Sequence, residues 1–325
     1  MIVGGNKVNS NDTKYDLTKN EYNKCLLMAE IATFIKSERS ENPHSIFAVA
    51  QAGAGKTGLK RFLINESLSK GEITSYTEFN PDEIAVYHKY YREILEEYPE
   101  SSYKILQRFV LPALDTFLRQ RAVELRNNLI QEGTFGNTEG YLQILDFQKN
   151  GGKANIGEIK EDGTRESKQI RGDYNIEINV LAVDRFESLL SCYEREQYFR
   201  DNGLPPRVVT PQNHDYAYNK LLETLHIVEA KNLFNTIRIF KRGYSIDKPE
   251  LICIKGDGRY SSAVEAVITE RFRNRQEILR RPEVYFDRIN RLKEKVQDNG
   301  IHVQLDRLNN LEEEFKEELL RQKEK

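Results

Sequence analysis

Apolar positions fall into alternating patterns along the chain. Leu26, Leu27, Ala29, Ile31, Phe34 and Ile35 recur at helical spacing and predict a helix over 21–36. Residues 45–50 (SIFAVA) follow Asn42-Pro43 as an unbroken apolar run, the pattern of a strand buried on both faces, and 55–69 reads as a helix. A brief strand at 73–76 and a helix over 82–98, stopped by Pro99, come next. A long amphipathic helix over 104–126 should kink or break at Pro112. A short strand at 128–131 leads through a loop at 132–137 to another helix ending near Phe147. The pattern resumes with a strand over 174–183 and helices over 185–200 and 211–231, the second opening after Thr210 as N-cap. Strands over 236–240 and 251–254 follow. This alternation predicts an α/β fold: a mostly parallel sheet flanked by helices.

Three stretches depart from it. Residues 1–20 are polar without periodicity and predict a mobile lead-in. Residues 148–174 are polar and glycine-containing, with an Asp162-Gly163 hairpin signal, and read as an excursion inserted in a domain spanning 21–258. Residues 259–325 read as a helical C-terminal extension interrupted at Pro282 and Asn299-Gly300. Its stripe of Ile289, Leu292, Val296, Leu305, Leu308, Phe315 and Leu319 predicts a packing seam.

Composition narrows the choices. Hydrophobic residues make up 38% of the 325 and charged residues 31%, which excludes disorder throughout. The net charge of −2 argues against adhesion to nucleic acid or membrane by bulk charge, and the locally basic 271–281 stretch, interleaved with acids, reads as a solvated helix or interaction face. No apolar run approaches a membrane span and the N-terminus lacks a signal-like apolar core, so a cytoplasmic location is expected. The three cysteines are widely spaced and the five histidines lack ligand spacing, so neither suggests a zinc site.

The sharpest chemical signal is Ala50-Gln51-Ala52-Gly53-Ala54-Gly55-Lys56-Thr57, set between an apolar strand and a helix as a phosphate-binding loop requires. Gly53 and Gly55 would let backbone N–H groups converge on phosphate oxygens, with Ala54 and Gly58 completing the cradle. Lys56 would reach the β and γ phosphates and Thr57 would ligate Mg²⁺. Alanine at position 50, where the usual pattern has glycine, requires a negative φ. The expected cofactors are ATP, or GTP, with Mg²⁺.

Four further segments, in order, resemble the bacterial zeta toxin family, P-loop kinases that phosphorylate UDP-N-acetylglucosamine. They are Asn80-Pro81-Asp82 with Tyr87-His88-Lys89-Tyr90; Leu129-Ile130-Gln131-Glu132-Gly133-Thr134; Ala182-Val183 with Tyr193-Glu194-Arg195; and Arg207-Val208-Val209-Thr210-Pro211 with His214-Asp215. The resemblance implies a kinase toxin neutralised by an antitoxin of the epsilon type. It makes Asp82 the general base for the sugar 3′-hydroxyl, places Glu132 and Thr134 in the acceptor pocket, and makes Arg195 and Arg207 a clamp on the γ-phosphate. Glu132 would also serve the metal, and Asp115 is the nearest counterpart of the family's acidic pocket residue.

One departure bears on the acceptor. The family carries an arginine two positions after Glu-Gly-Thr, where this chain has Gly136. Either another cation takes over, from the helix bearing Arg119, Arg121 and Arg126 or from the inserted segment, or the acceptor differs. A kinase with another acceptor, and a non-enzymatic nucleotide-dependent module binding nucleic acid or a protein, are the alternative readings.

Overall fold

The computed structural model describes residues 14–79, 81–98, 101–204, 206–243 and 248–323, without the side chains of Asp82, Thr116 and Lys323. In chain order the strands are β1 (His44–Val49), β2 (Thr77–Glu78), β3 (Leu129–Gly133), β4 (Gly152–Ala154), β5 (Lys168–Ile170), β6 (Asn175–Ala182), β7 (Thr236–Lys241) and β8 (Glu250–Ile254). The helices are α1 (Lys19–Phe34), α2 (Lys56–Ser69), α3 (Pro81–Ala85), α4 (Tyr91–Glu97), α5 (Ser102–Pro112), α6 (Arg119–Leu125), α7 (Thr138–Asn150), α8 (Arg185–Asp201), α9 (Pro211–Ala230), α10 (Ala263–Arg280), α11 (Pro282–Asp298) and α12 (His302–Lys323).

Six strands form one sheet in the order β2-β3-β1-β6-β7-β8, parallel except for β8. β1 is buried from Ser45 onward because parallel neighbours flank it and helices cover both faces. This is the expected architecture. β4 and β5 pair antiparallel within 148–174. Their connection turns at Asp162-Gly163, where the Asp162 carboxylate accepts from the Thr164 N–H at 2.8 Å.

Local expectations shift where tertiary contacts override the pattern. The second strand lies at Thr77–Glu78 rather than 73–76: Thr77 and Glu78 pair with β3, and Ile73 is buried with Leu59 and Leu63 of α2. The helix expected over 82–98 breaks into α3 and α4. At the break His88 is buried, its Nδ1 accepting from the Tyr90 N–H at 3.2 Å and its ring 5.7 Å from that of Phe109. Pro112 does not break its helix. Because proline lacks an N–H and crowds the preceding turn, the ladder passes through a π-helical turn (Ala113–Leu118) before α6 begins. Residues 14–20, placed by the sequence in a mobile lead-in, are held. Tyr15 is buried against Tyr90 and Tyr98, and a Thr18–Glu21 capping box starts α1; residues 1–13 lie outside the described residues.

Residues beyond 258 do not form a separable appendage. Ala263, Ala266 and Val267 of α10 join the main core over the sheet, while α11 and α12 pack on α8 through Tyr285, Ile289, Leu308 and Phe315. The Tyr285 and Phe315 rings lie 4.2 Å apart. The apolar stripe is thus a seam against α8.

Candidate functional site

The carboxyl ends of β1, β3 and β6 open on one edge of the sheet, where parallel α/β folds form their ligand crevice. From Val49 the chain turns through 50–55 into α2. Gly53 (φ +73°) and Gly55 (φ +96°) occupy the left-handed region, and Ala50 is not among the residues with positive φ. Gly53 meets a second demand: a Cβ there would lie 1.9 Å from the Ser188 carbonyl oxygen and 2.8 Å from Cys192 Sγ, both on α8. Thr57 is exposed in the first turn of α2, whose free N–H groups face the crevice mouth. Lys56 Nζ donates to the carbonyls of Ala50 and Gln51, each at 3.0 Å. Burial pulls its pKa down to about 8, with Glu132 opposing and Arg195 assisting.

The loop is tied from behind by residues to which the sequence assigned no role at the loop. Gln51 is fully buried, and its amide donates to the Val183 carbonyl at 2.9 Å and to Ser188 Oγ at 3.0 Å. Ser188 Oγ is 2.9 Å from Nε2 of His214, whose other ring nitrogen faces Asp215, itself gripped twice by Arg185 at 2.7 and 2.8 Å. Burial lowers the His214 pKa, so the ring is favoured neutral. Arg271 donates to Gln51 Oε1 at 3.1 Å, its guanidinium 3.7 Å over the Tyr218 ring. Arg271 is only 4% exposed, so the first residue of the 271–281 stretch, read from sequence as a solvated helix or interaction face, is packed inward. A second tie runs through Arg242, which donates to the Gly53 carbonyl at 3.2 Å and faces Glu187 at 3.4 Å. Glu187 in turn takes Arg288 of α11 at 2.7 Å.

On the β3 side, Glu132 accepts from Lys60 Nζ at 2.8 Å, and Lys60 also pairs with Glu78 at the end of β2. Thr134 Oγ1 accepts from the Gly136 N–H at 3.2 Å, and Tyr141 Oη accepts from the Thr134 N–H at 3.3 Å. Between them Phe135 is held at φ +54°, buried, with its carbonyl taking the Thr224 hydroxyl at 2.7 Å. Such strain in a non-glycine residue marks a loop whose shape is fixed by its surroundings. Asp115, exposed in the π-turn, pairs with Arg119.

The structure brings some sequence-chosen residues together and separates others. Lys56 feels the charges of both Glu132 and Arg195, and Arg195 Nε is buried without a hydrogen-bond partner. Arg207 lies on the loop between α8 and α9. Its guanidinium lies 5.7 Å from the Phe199 ring, at a cavity of about 230 Å³ shared with Pro81 and Ala85 of α3. Asp82 follows Pro81 in the first turn of that helix, but its side chain falls outside the described residues. Gly55, Gly58, Phe62, Asn65, Arg242 and Lys248 border a cavity of about 720 Å³ beside the phosphate loop.

A glycine-turned loop between the central parallel strand and its helix, with lysine, glutamate and arginine converging at the sheet edge, defines a P-loop protein of kinase-like fold. The family model for zeta toxin matches residues 28–247, and the chain belongs to that family. Toxin PezT of Streptococcus pneumoniae is 24% identical over 232 residues, 71% of this chain and 81% of PezT. A solved structure from the PezAT chromosomal toxin–antitoxin system of the same species matches with a TM-score of 0.64 at 21% identity, covering 86% of this chain and 98% of that one. Among the described residues no helix is long and apolar enough to cross a membrane.

Proposed function

We propose that the protein is a kinase toxin that transfers the γ-phosphate of ATP, or GTP, to the 3′-hydroxyl of UDP-N-acetylglucosamine or a related nucleotide sugar. The observation that carries this reading is the phosphate-loop geometry at the carboxyl edge of the sheet, with Gly53 and Gly55 at positive φ ahead of α2 and Lys56 Nζ turned back onto the Ala50 and Gln51 carbonyls. A hydrolytic switch and an acceptor kinase both need cations around the transferring group, and the kinase needs in addition a base for the acceptor hydroxyl, the role given to Asp82. In this assignment Lys56 holds the β and γ phosphates, and backbone N–H groups of 53–58 cradle them. Arg195 and Arg207 neutralise charge on the transferring group, the second approaching from the Pro81 side. Asp82 takes the acceptor proton, and Glu132, Thr134 and Asp115 border the acceptor pocket.

Thr57 and Glu132 offer a hydroxyl and a carboxylate, hard oxygen donors suited to Mg²⁺, which keeps its remaining positions for water and phosphate. The ion would supply charge neutralisation between the β and γ phosphates. Membership of the zeta toxin family and the likeness to a toxin–antitoxin structure support an antitoxin partner of the epsilon type.

The test is incubation with γ-labelled ATP and a panel of nucleotide sugars, free sugars and nucleosides, the product being mapped by phosphorus NMR. Asp82→Asn should keep ATP binding and lose about 100-fold or more in transfer. Salt-sensitive nucleic-acid binding with no phosphorylation of any acceptor would replace this reading with the non-enzymatic one.

A further inference from the structure

A second large cavity, of about 710 Å³, lies between α8, α10 and α11, and Arg242 borders both it and the 720 Å³ cavity beside the phosphate loop. Two of its walls, α10 and α11, lie beyond the residues that the family model matches. Nothing in the proposed phosphoryl transfer uses it.

Four arginines border this cavity: Arg242, Arg280, Arg281 and Arg288. The two carboxylates that border it with them are already answered. Glu187 takes Arg288 at 2.7 Å and Arg242 at 3.4 Å, and Glu277 takes Lys241 at 2.7 Å. Arg288 is held further by Glu194 at 2.8 Å. Arg280 and Arg281 are exposed and, among the described residues, pair with no carboxylate. Two guanidinium forks, the geometry that matches phosphate and carboxylate oxygens, are thus left over. Apolar surface completes the lining: Val284 is 54% exposed and Ile278 is half-buried beside it. A concave site with convergent cations and an apolar wall suits a ligand with an anionic head and an apolar body.

Arg242 is held more loosely than Arg288. Its Nη1 reaches the Gly53 carbonyl at 3.2 Å, Ser191 Oγ at 3.1 Å and Glu187 at 3.4 Å. Each contact is longer than the roughly 2.7–2.9 Å of a tight charge-assisted bond. An oxyanion in the cavity competes with these acceptors, and a guanidinium drawn toward it withdraws its bond from the phosphate loop.

We propose that this cavity is an effector site for a small organic oxyanion. Arg280 and Arg281 grip its phosphate or carboxylate group, Ile278 and Val284 cover its apolar part, and occupancy weakens nucleotide binding by drawing Arg242 from the Gly53 carbonyl. The site goes beyond the proposed function and does not depend on which acceptor is phosphorylated. Coupling is reciprocal, so nucleotide in the loop weakens the effector by the same factor.

The test is calorimetric titration of the full chain with phenyl phosphate and with benzoate, each of which joins an aromatic ring to one oxyanion. At least one should bind with a Kd on the order of 1 mM or below, and the tighter of the two identifies the head group. The affinity of a non-hydrolysable ATP analogue with Mg²⁺, measured at rising probe concentration, should fall about five- to tenfold and then level off. A decline that never levels off is direct competition at the phosphate loop and overturns the proposal. The double variant Arg280→Gln/Arg281→Gln should lose probe binding and the plateau while melting temperature and probe-free nucleotide affinity stay unchanged. Val284→Asp, which sets a carboxylate beside the anion, should do the same. Either effect persisting in the double variant, or no binding of either probe to the native protein up to about 10 mM, overturns the site. If the native protein binds no ATP analogue, the kinase reading fails and the coupling with it, whereas probe binding that is lost in the double variant still supports the anion site.

Discussion

Raising the pH from 7 to 9 should weaken nucleotide binding through Lys56. With its pKa pulled down to about 8 by burial, the ammonium is charged in about nine molecules in ten at pH 7 and in about one in ten at pH 9. A triphosphate beside the ammonium favours the charged form, raises the pKa again and so draws a proton in on binding. The sign follows: affinity is full below pH 8 and falls as pH rises through it. The loss from pH 7 to 9 is about tenfold, or about 1.4 kcal/mol. Calorimetric titration of a non-hydrolysable ATP analogue in two buffers of different ionisation heat reads both quantities, and about half a proton should be taken up per nucleotide at pH 8. The Cys192 thiol beside the loop is pushed up to about 11 by burial and does not titrate in this window. Lys56→Met should bind weakly and show no slope over the same range. Native affinity that stays flat from pH 7 to 9, with no proton uptake, would refute the argument.

Other expectations rest on packing and charge. Gly53→Ala faces both a positive φ and a 1.9 Å approach to the Ser188 carbonyl; urea unfolding should show a loss of about 3 kcal/mol or more together with failed nucleotide binding. Arg271→Met strips a buried partner from Gln51 and should cost about 1–3 kcal/mol while weakening nucleotide affinity, whereas exposed Arg280→Met should stay within about 0.5 kcal/mol. Arg195→Ala and Arg207→Ala should each reduce turnover, and the double variant should lose less than the product if both grip one transferring group. Fully multiplicative losses in single-turnover assays would assign them to separate sites.

The phosphate loop and the sheet around it were legible because each rests on a local rule. Glycines at 53 and 55 mark where φ must turn positive, the apolar run before them marks a strand covered on both faces, and Thr210 ahead of Pro211 marks a helix start. The Asp162-Gly163 turn was read the same way. What periodicity could not convey is which element covers which. Nothing near Gln51 indicates that its amide would be met by Arg271, 220 residues later, and a basic helical stretch reads as solvated until α10 is placed against the sheet. The break at 86–90 contains neither proline nor glycine; it depends on His88 finding a buried place beside Phe109. Arg119, Arg121 and Arg126 are equivalent as letters, yet Arg121 and Arg126 reach partners on distant elements, Glu30 and Asp173, while Arg119 pairs with Asp115 four residues before it. Spacing along a helix fixes the face a residue occupies. Only the packing of that face against distant strands decides whether its charge is spent in the fold or left for a ligand.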